Sequence, residues 1–336
     1  MKILVTGASG NAGEAVSRLL TADESLSVRR ADVAPPPGGT PAGAEFVRCD
    51  TRTPDDARRA VEGVDAVIHL AAALTSRGAA EPDFVRSNVM GTYSLLAALR
   101  DEGRPIERFV YVSSDAVYWA GLAVPARYLP VDEHHPLETG SLYGVTKLAA
   151  EELCRTFERA WGLPFAIVRP TATADAAELI APDGVFVRRF SVRPAIRALE
   201  ALAAPDAAEL DLLAALRGVD DGRDRLFTVA AADGTTAHST LNDARHAADG
   251  LVLALEHPAA AGEAFNIGPL DGYDQAALME HLGSRLGLPS VVLRSRHARA
   301  SWVVSSARAQ RLLGYRPTGS VFTMVDRAFD DAGGPR

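Results

Sequence analysis

The segment KILVTGASGNAG, residues 2–13, limits the possible folds of this chain more than any other. A short apolar run (Ile3, Leu4, Val5) leads into a turn with glycines at Gly7, Gly10 and Gly13, and helix-compatible residues follow. An apolar run without polar alternation reads as a strand buried on both faces of a parallel sheet. Only glycine lets the backbone turn tightly enough there to approach a pyrophosphate. The helix behind the turn offers unpaired N–H groups and the positive end of its dipole to those phosphates. The spacing is TGxxGxxG, not the commoner GxGxxG.

Residues 27–32, SVRRAD, read as a second strand ending in Asp32. An acid about twenty residues past the glycines can accept hydrogen bonds from both ribose hydroxyls of a dinucleotide. It repels a 2′-phosphate, so the expected cofactor is NAD and not NADP. Arg29 or Arg30 would reverse that preference by pointing into the pocket.

Composition excludes several classes. The 336 residues suit one large α/β unit with a smaller lobe, and a hydrophobic content of 47% fills a substantial core. The net charge of −8 argues against nucleic acid or an anionic membrane surface as partner. No apolar run is long enough to span a bilayer and no basic-then-apolar leader opens the chain. Two distant cysteines, Cys49 and Cys154, suggest neither a disulfide framework nor a metal site, and a cytoplasmic setting is expected.

Strands and helices alternate through the first half, the pattern of a parallel sheet covered on both faces. Strands are expected at Glu45–Cys49, 65–70 (DAVIHL), 108–114 (RFVYVSS) and 164–170 (PFAIVRP). Helices are expected at Pro54–Val61, about Pro82 to Arg100, and Ser141–Trp161, with a Pro/Gly-rich loop at 34–44. Beyond Pro170 the pattern loosens. Helices are expected over 195–216, 242–258 and 275–287, with a short strand at 264–268. The expected fold is α/β: a Rossmann-type doubly wound parallel sheet over 1–170, and a smaller C-terminal α/β substrate lobe over 171–336. Some segments of the latter are expected to return to the sheet.

Three residue types occur where hydride transfer would need them. Tyr143 and Lys147, in YGVTK, are spaced i and i+4 and project from one helix face. A neighbouring ammonium is expected to lower the phenol pKa, so that tyrosine can serve as base toward an alcohol or acid toward a ketone. Ser114 lies at the C-terminal end of a strand, where open α/β sheets bind ligands. Its hydroxyl could hold the reacting oxygen.

These motifs, taken in order, resemble the extended short-chain dehydrogenase/reductases, the group that holds nucleotide-sugar epimerases and dehydratases. The resemblance rests on TGASGNAG (6–13), Asp32, Asp50, HLAA (69–72), NVMGT (88–92), YVSSDAVY (111–118), YGVTK (143–147), VRP (168–170) and RLLGYRP near the C-terminus. It implies catalytic roles for Ser114, Tyr143 and Lys147. It implies a pyrophosphate loop containing Gly7, Gly10, Asn11, Ala12 and Gly13, a ribose acid at Asp32 and an adenine contact at Asp50. Leu70, Ala71, Ala72 and Asn88 would line the cofactor groove, and Pro170 would sit at the nicotinamide end. A homodimer through the helices carrying Asn88 and Tyr143 is also implied.

Departures from the family pattern bear on substrate. Ala172 stands where nucleotide-sugar enzymes commonly have an asparagine, and Thr236 or a neighbour where they have a diphosphate-binding arginine. This favours a substrate without a nucleotide diphosphate, unless Arg188, Arg189, Arg193 or Arg197 replaces the missing cation. Ala116 stands where the 4,6-dehydratases carry a glutamate base, which argues against dehydration. Asp115, Thr171, His238 and Asn242 are the substrate-contact candidates. His134 and His135 read as an exposed loop pair, and no metal site is expected. The expected reaction is hydride transfer between NAD and a secondary alcohol or ketone of a free sugar, uronate or cyclitol. The alternatives are an NAD-retaining epimerase and, least favoured, a non-catalytic NAD-binding regulator.

Overall fold

The computed structural model describes residues 1–36, 38–74, 80–121 and 124–333. Pro37, inside the expected 34–44 loop, lies outside the described residues. The first half alternates as its sequence predicts. Strands β1 (Lys2–Thr6), β2 (Ser27–Asp32), β3 (Ala44–Arg48), β4 (Ala66–His69), β5 (Phe109–Val112) and β6 (Phe165–Pro170) all run parallel. Helix α1 (Asn11–Thr21) follows β1, and α2 (Pro54–Val61) follows β3. Between β4 and β5 lie α3 (Glu81–Asp83), a π-helical stretch Phe84–Met90 and α4 (Gly91–Glu102); α5 (Leu142–Trp161) precedes β6. The π-helical stretch falls inside the single helix expected over 82–100, and nothing in the residue pattern marks it.

Alternate β1 side chains face opposite layers, as a period of two requires. Ile3 and Val5 pack with α1 residues Val16 and Leu20, whereas Leu4 packs with α2 and α4 through Ala57, Leu95 and Leu99. Burying each large side chain of this kind contributes about 1.5–3 kcal/mol, and both faces are covered.

The remaining chain builds the smaller lobe, and three of its elements return to pack with the large sheet. It contains β7 (Thr173–Ala174), α6 (Ala176–Ile180), α7 (Val185–Arg189), α8 (Val192–Glu200), α9 (Ala207–Val219), β8 (Leu226–Ala230), β9 (His238–Ser239) and β10 (Asn242–Asp243). Helix α10 (Ala244–Glu256) packs on α1, and β11 (Ala264–Ile267) pairs with β6 as a seventh parallel strand. The sheet order is therefore β11-β6-β5-β4-β1-β2-β3, with the reversal between β1 and β4. Then follow β12 (Tyr273–Asp274), α11 (Gln275–Leu286), β13 (Ser290–Arg294), α12 (Ala307–Leu313) and α13 (Val321–Asp331).

The expected helix over 195–216 is two helices. Pro205 supplies no N–H, and Asp206 caps a new helix by accepting from Glu209 N at 2.8 Å. The parallel pair β8–β13 has no signal in the residue pattern, because its paired residues, such as Leu226 and Ser290, are far apart in sequence and each strand is short. Asn242 and Asp243, expected as the first residues of a helix, are strand; Asp243 caps α10 by accepting from Arg245 N at 2.9 Å.

Candidate active site

All parallel strands end at one edge of the sheet, and the turns leaving β1, β4, β5 and β6 meet there. Gly7 has φ +68°, and a Cβ at this position would lie 2.7 Å from Ala71 N. The β1 turn and the β4 turn therefore touch, and only glycine permits it. Behind them the first amides of α1, those of Asn11, Ala12 and Gly13, have no earlier carbonyl to bond within the helix. The Asp32 carboxylate accepts from Ser9 N at 3.0 Å and Val33 N at 2.7 Å, which fixes it beside the same turn. Asp50 is held by Arg52, whose Nη2 donates to Oδ2 at 2.6 Å.

The arginines that threatened the NAD preference are occupied elsewhere. Arg30 is fully buried and donates to Ala8 O at 2.8 Å and to Glu14. Arg29 donates to Glu45 at 2.6 Å and to carbonyls at the end of α2. A ribose with a free 2′-hydroxyl fits this rim.

The 70–74 turn is pinned from both sides. Leu70 N donates to Thr6 O at 3.2 Å and Ala71 N to Thr6 Oγ1 at 3.3 Å. Asn88, buried in the π-helical stretch, accepts from Ala73 N at 2.7 Å and donates to Thr146 Oγ1 at 3.1 Å. Asn88 thus holds the groove wall together with α5. His69 is a component the residue pattern did not single out. Its ring meets Thr6 Oγ1 at 2.6 Å and Thr92 Oγ1 at 3.0 Å, and burial pushes its pKa down to about 3, so it stays neutral.

Ser141 caps α5 by accepting from Gly144 N at 3.0 Å, which places Tyr143 and Lys147 in its first two turns. Gly144 is required: a Cβ there would lie 2.5 Å from Ala116 O and 2.0 Å from Thr139 Oγ1. The helix therefore seats directly on the turn 114–117. Ser114 caps this turn, accepting from Ala116 N at 3.1 Å.

The electrostatics differ from the simple tyrosine–lysine expectation. Burial raises the Tyr143 phenol to about 12, partly offset by a hydrogen bond from Ser114. Lys147 is buried with its ammonium 4.6 Å from the Tyr111 ring centroid, and burial pushes it down to about 7. The neighbouring Asp115 charge adds to the rise, so it is burial and a carboxylate, not the Lys147 ammonium, that set the Tyr143 phenol. One turn along α5, Glu151 is fully buried and ionised, paired with Arg169 at 2.6 Å and accepting from Ser113 Oγ at 2.6 Å. Arg169 also donates to Tyr118 Oη at 2.7 Å.

Of the substrate-contact candidates, Asp115 adjoins Ser114. Its Oδ1 accepts from Ser114 Oγ at 3.3 Å and its Oδ2 from Trp302 Nε1 at 3.1 Å, and burial raises it to about 6. Thr171 is buried against Gly268. His238 is exposed on β9. Asn242 is fully buried beside the Tyr315 hydroxyl, and its backbone N–H donates to Ala172 O at 2.7 Å, just past the end of β6. His134 is exposed as expected, but His135 is buried among Tyr118, Tyr128 and Trp302.

A cavity of about 440 Å³ opens in the smaller lobe, walled by Phe190, Ala195, Leu199, Leu212 and Phe227. Arg188, Arg189 and Arg299 also line it, and no carboxylate does. Burial lowers Arg189, and burial together with the Arg189 charge brings Arg299 down to about 10. Arg193 and Arg197 lie on the exposed side of α8. Thr236, which with its neighbours is a candidate for the place of the family's diphosphate arginine, donates its hydroxyl to Asp274.

The model of the NAD-dependent epimerase/dehydratase family matches residues 3–182. The chain belongs to that family. Its fold is shared with a short-chain dehydrogenase/reductase superfamily protein of Agrobacterium tumefaciens crystallised with bound NAD. That protein is 32% identical, with a TM-score of 0.86 over 99% of this chain and 97% of that one. A UDP-glucose 4-epimerase of Streptomyces lividans is 27% identical over 98% of this chain and 95% of its own length. Several relatives are matched over only about half of their length, among them a uronate dehydrogenase of Pseudomonas syringae pv. tomato. It is 26% identical over 50% of this chain and 58% of that protein. This epimerase/dehydratase-family protein is thus an NAD-dependent enzyme, with the glycine turn and Asp32 suited to hold the dinucleotide. Among its described residues no helix is long and apolar enough to cross a membrane.

Proposed function

We propose that this enzyme transfers hydride at a secondary alcohol or ketone of a sugar-like substrate, acting as a net dehydrogenase. The observation that carries the reading is the seating of α5 on the Ser114 turn, which brings Ser114 to Tyr143 with Lys147 one turn behind. The cofactor, when bound, would accept the hydride as NAD in alcohol oxidation and return it as NADH in ketone reduction. Ser114 donates a hydrogen bond to the reacting oxygen, and Tyr143 exchanges its proton with it. With its pKa at about 12, Tyr143 is a phenol at neutral pH, ready as the acid for ketone reduction. Oxidation needs the phenolate, which the Ser114 hydrogen bond favours. Lys147, poised at about 7, would hold the cofactor's sugar and balance charge as that proton moves.

The arginine-lined cavity supports a substrate that carries an anionic group, such as a uronate or a phosphorylated sugar. Arg189 and Arg299 supply the cationic charge that Thr236 lacks, so the argument against a nucleotide diphosphate loses its force. That observation favours a second reading, an NAD-retaining epimerase that returns the hydride to the opposite face of the ketone. Denaturing the purified, undialysed protein and assaying the released NAD(H) separates the two. An empty protein that binds added NAD reversibly supports the dehydrogenase, and sugar acids and sugar phosphates are then screened for NADH formation. Near-stoichiometric NAD supports the epimerase.

We also infer a homodimer. Val85, Met90 and Tyr93 on the π-helical stretch and α4, with Leu142 and Val145 on α5, are all at least 40% exposed. Apolar residues of two adjacent helices left in water in this way suit burial against a second copy.

A further inference from the structure

The arginine-lined cavity and the Ser114 turn are joined by one short segment. Arg299 lines the cavity, and Trp302, three residues on, donates its indole N–H to Asp115. Three extended residues span at most about 10 Å. The segment is stitched on both sides. Trp302 N donates to His238 O at 2.7 Å, and His238 N donates to Ser301 Oγ at 3.0 Å. Beyond it, Val131 N donates to Val303 O at 2.7 Å and Ser305 N to Val131 O at 2.8 Å. One edge is therefore fixed to β9 in the smaller lobe and the other to the chain beside the large sheet.

Arg189 and Arg299 face the same cavity without an ion pair or a hydrogen bond among the described residues. Two like charges held this close repel, and an anion between them turns repulsion into attraction. Such an anion has more to gain with Arg299 drawn inward, so it biases the position of the whole segment.

We propose that residues 299–304 link anion occupancy of the cavity to the catalytic turn, with Trp302 as the positioning residue that sets Asp115 and, through it, Ser114. The link rests on the reading that the cavity takes the anionic end of the substrate. Its consequence is that the anion raises turnover and does not merely tighten binding, because it orders the group that holds the reacting oxygen.

Inorganic pyrophosphate is the probe, added to NAD-saturated protein so that the glycine turn is already filled. Binding is followed by calorimetry, and Trp302 by the 19F resonance of 5-fluorotryptophan-labelled protein. With three tryptophans in the chain, Trp302→Phe assigns that resonance. Pyrophosphate is expected to bind wild type and shift the Trp302 resonance saturably, and Arg299→Gln to abolish both effects. Trp302 does not line this cavity, yet coupling is reciprocal, so Trp302→Phe is expected to weaken pyrophosphate at least about threefold with NAD affinity unchanged. Pyrophosphate binding with an unmoved Trp302 resonance, or with unchanged affinity in Trp302→Phe, overturns the link and leaves the cavity reading standing. Absence of pyrophosphate binding to wild type overturns both.

Discussion

Tyr143 and Lys147 show how burial changes what a pair of side chains can do. Their spacing promises an ammonium that ionises a phenol, yet both groups lie where charge is poorly solvated. The phenol is held up at about 12 and the ammonium down at about 7. Two predictions belong here. Tyr143→Phe removes the exchangeable proton while keeping the ring, so turnover should fall about 10²–10⁴-fold, with NAD binding by calorimetry unchanged. A wild-type rate in that variant would remove Tyr143 from the mechanism. For Lys147, the folded state binds its proton less tightly than the unfolded chain does. The cost of burying the ammonium is therefore full below about pH 7 and is relieved as pH rises toward the ordinary lysine value of 10.5. Lys147→Met should thus gain most over wild type in urea midpoint at pH 6.5, and the advantage should shrink by pH 9.5. A constant difference across that range would mean that Lys147 has no depressed pKa.

At the scale of elements, the decisive event is the seating of α5 on the Ser114 turn. Ser141 starts the helix and Gly162, at φ +68°, ends it, both visible as ordinary cap residues. The role of Gly144 is not visible in that way, because the Ala116 carbonyl it approaches comes from a turn far earlier in the chain. Gly144→Ala should force α5 off the turn, costing about 1–3 kcal/mol in denaturant unfolding and lowering turnover more than NAD affinity. Unchanged turnover would show that the close approach is not needed. The π-helical stretch is a comparable case. It turns Asn88 toward both Ala73 and Thr146, and no periodicity in FVRSNVM distinguishes it from an α-helical turn.

Taken whole, the molecule is a seven-stranded parallel sheet with helices on both faces, to which the second half of the chain adds three further two-stranded pairs. Strands β1, β4, β5 and β6 are legible because each is short and mainly apolar, and β2 because it ends in the acid Asp32 about twenty residues past the glycine turn. The parallel pair β8–β13 is not, since neither strand has a local partner and each pairs only once the chain has folded back. An exposed apolar face on α4 and α5 leads to a further expectation. Val145→Arg, at a position 49% exposed, should convert a dimer to a monomer by light scattering with little loss of monomer fold. A monomeric wild type would dismiss the dimer outright.

The glycine turn, the acid at Asp32 and the Tyr143–Lys147 spacing are short-range patterns that single these residues out from sequence alone as candidates, whereas only the seating of α5 brings Ser114 beside Tyr143. Cofactor class and fold class follow from them. The arginines that line the cavity could not be chosen from sequence among the many in the second half. Whether a guanidinium faces a cavity or solvent depends on how helices α7 and α8 and the 299–304 segment pack. The same holds for His135, Asn242 and Trp302: their surroundings are assembled from distant parts of the chain, and burial and charge there are properties of the packed fold.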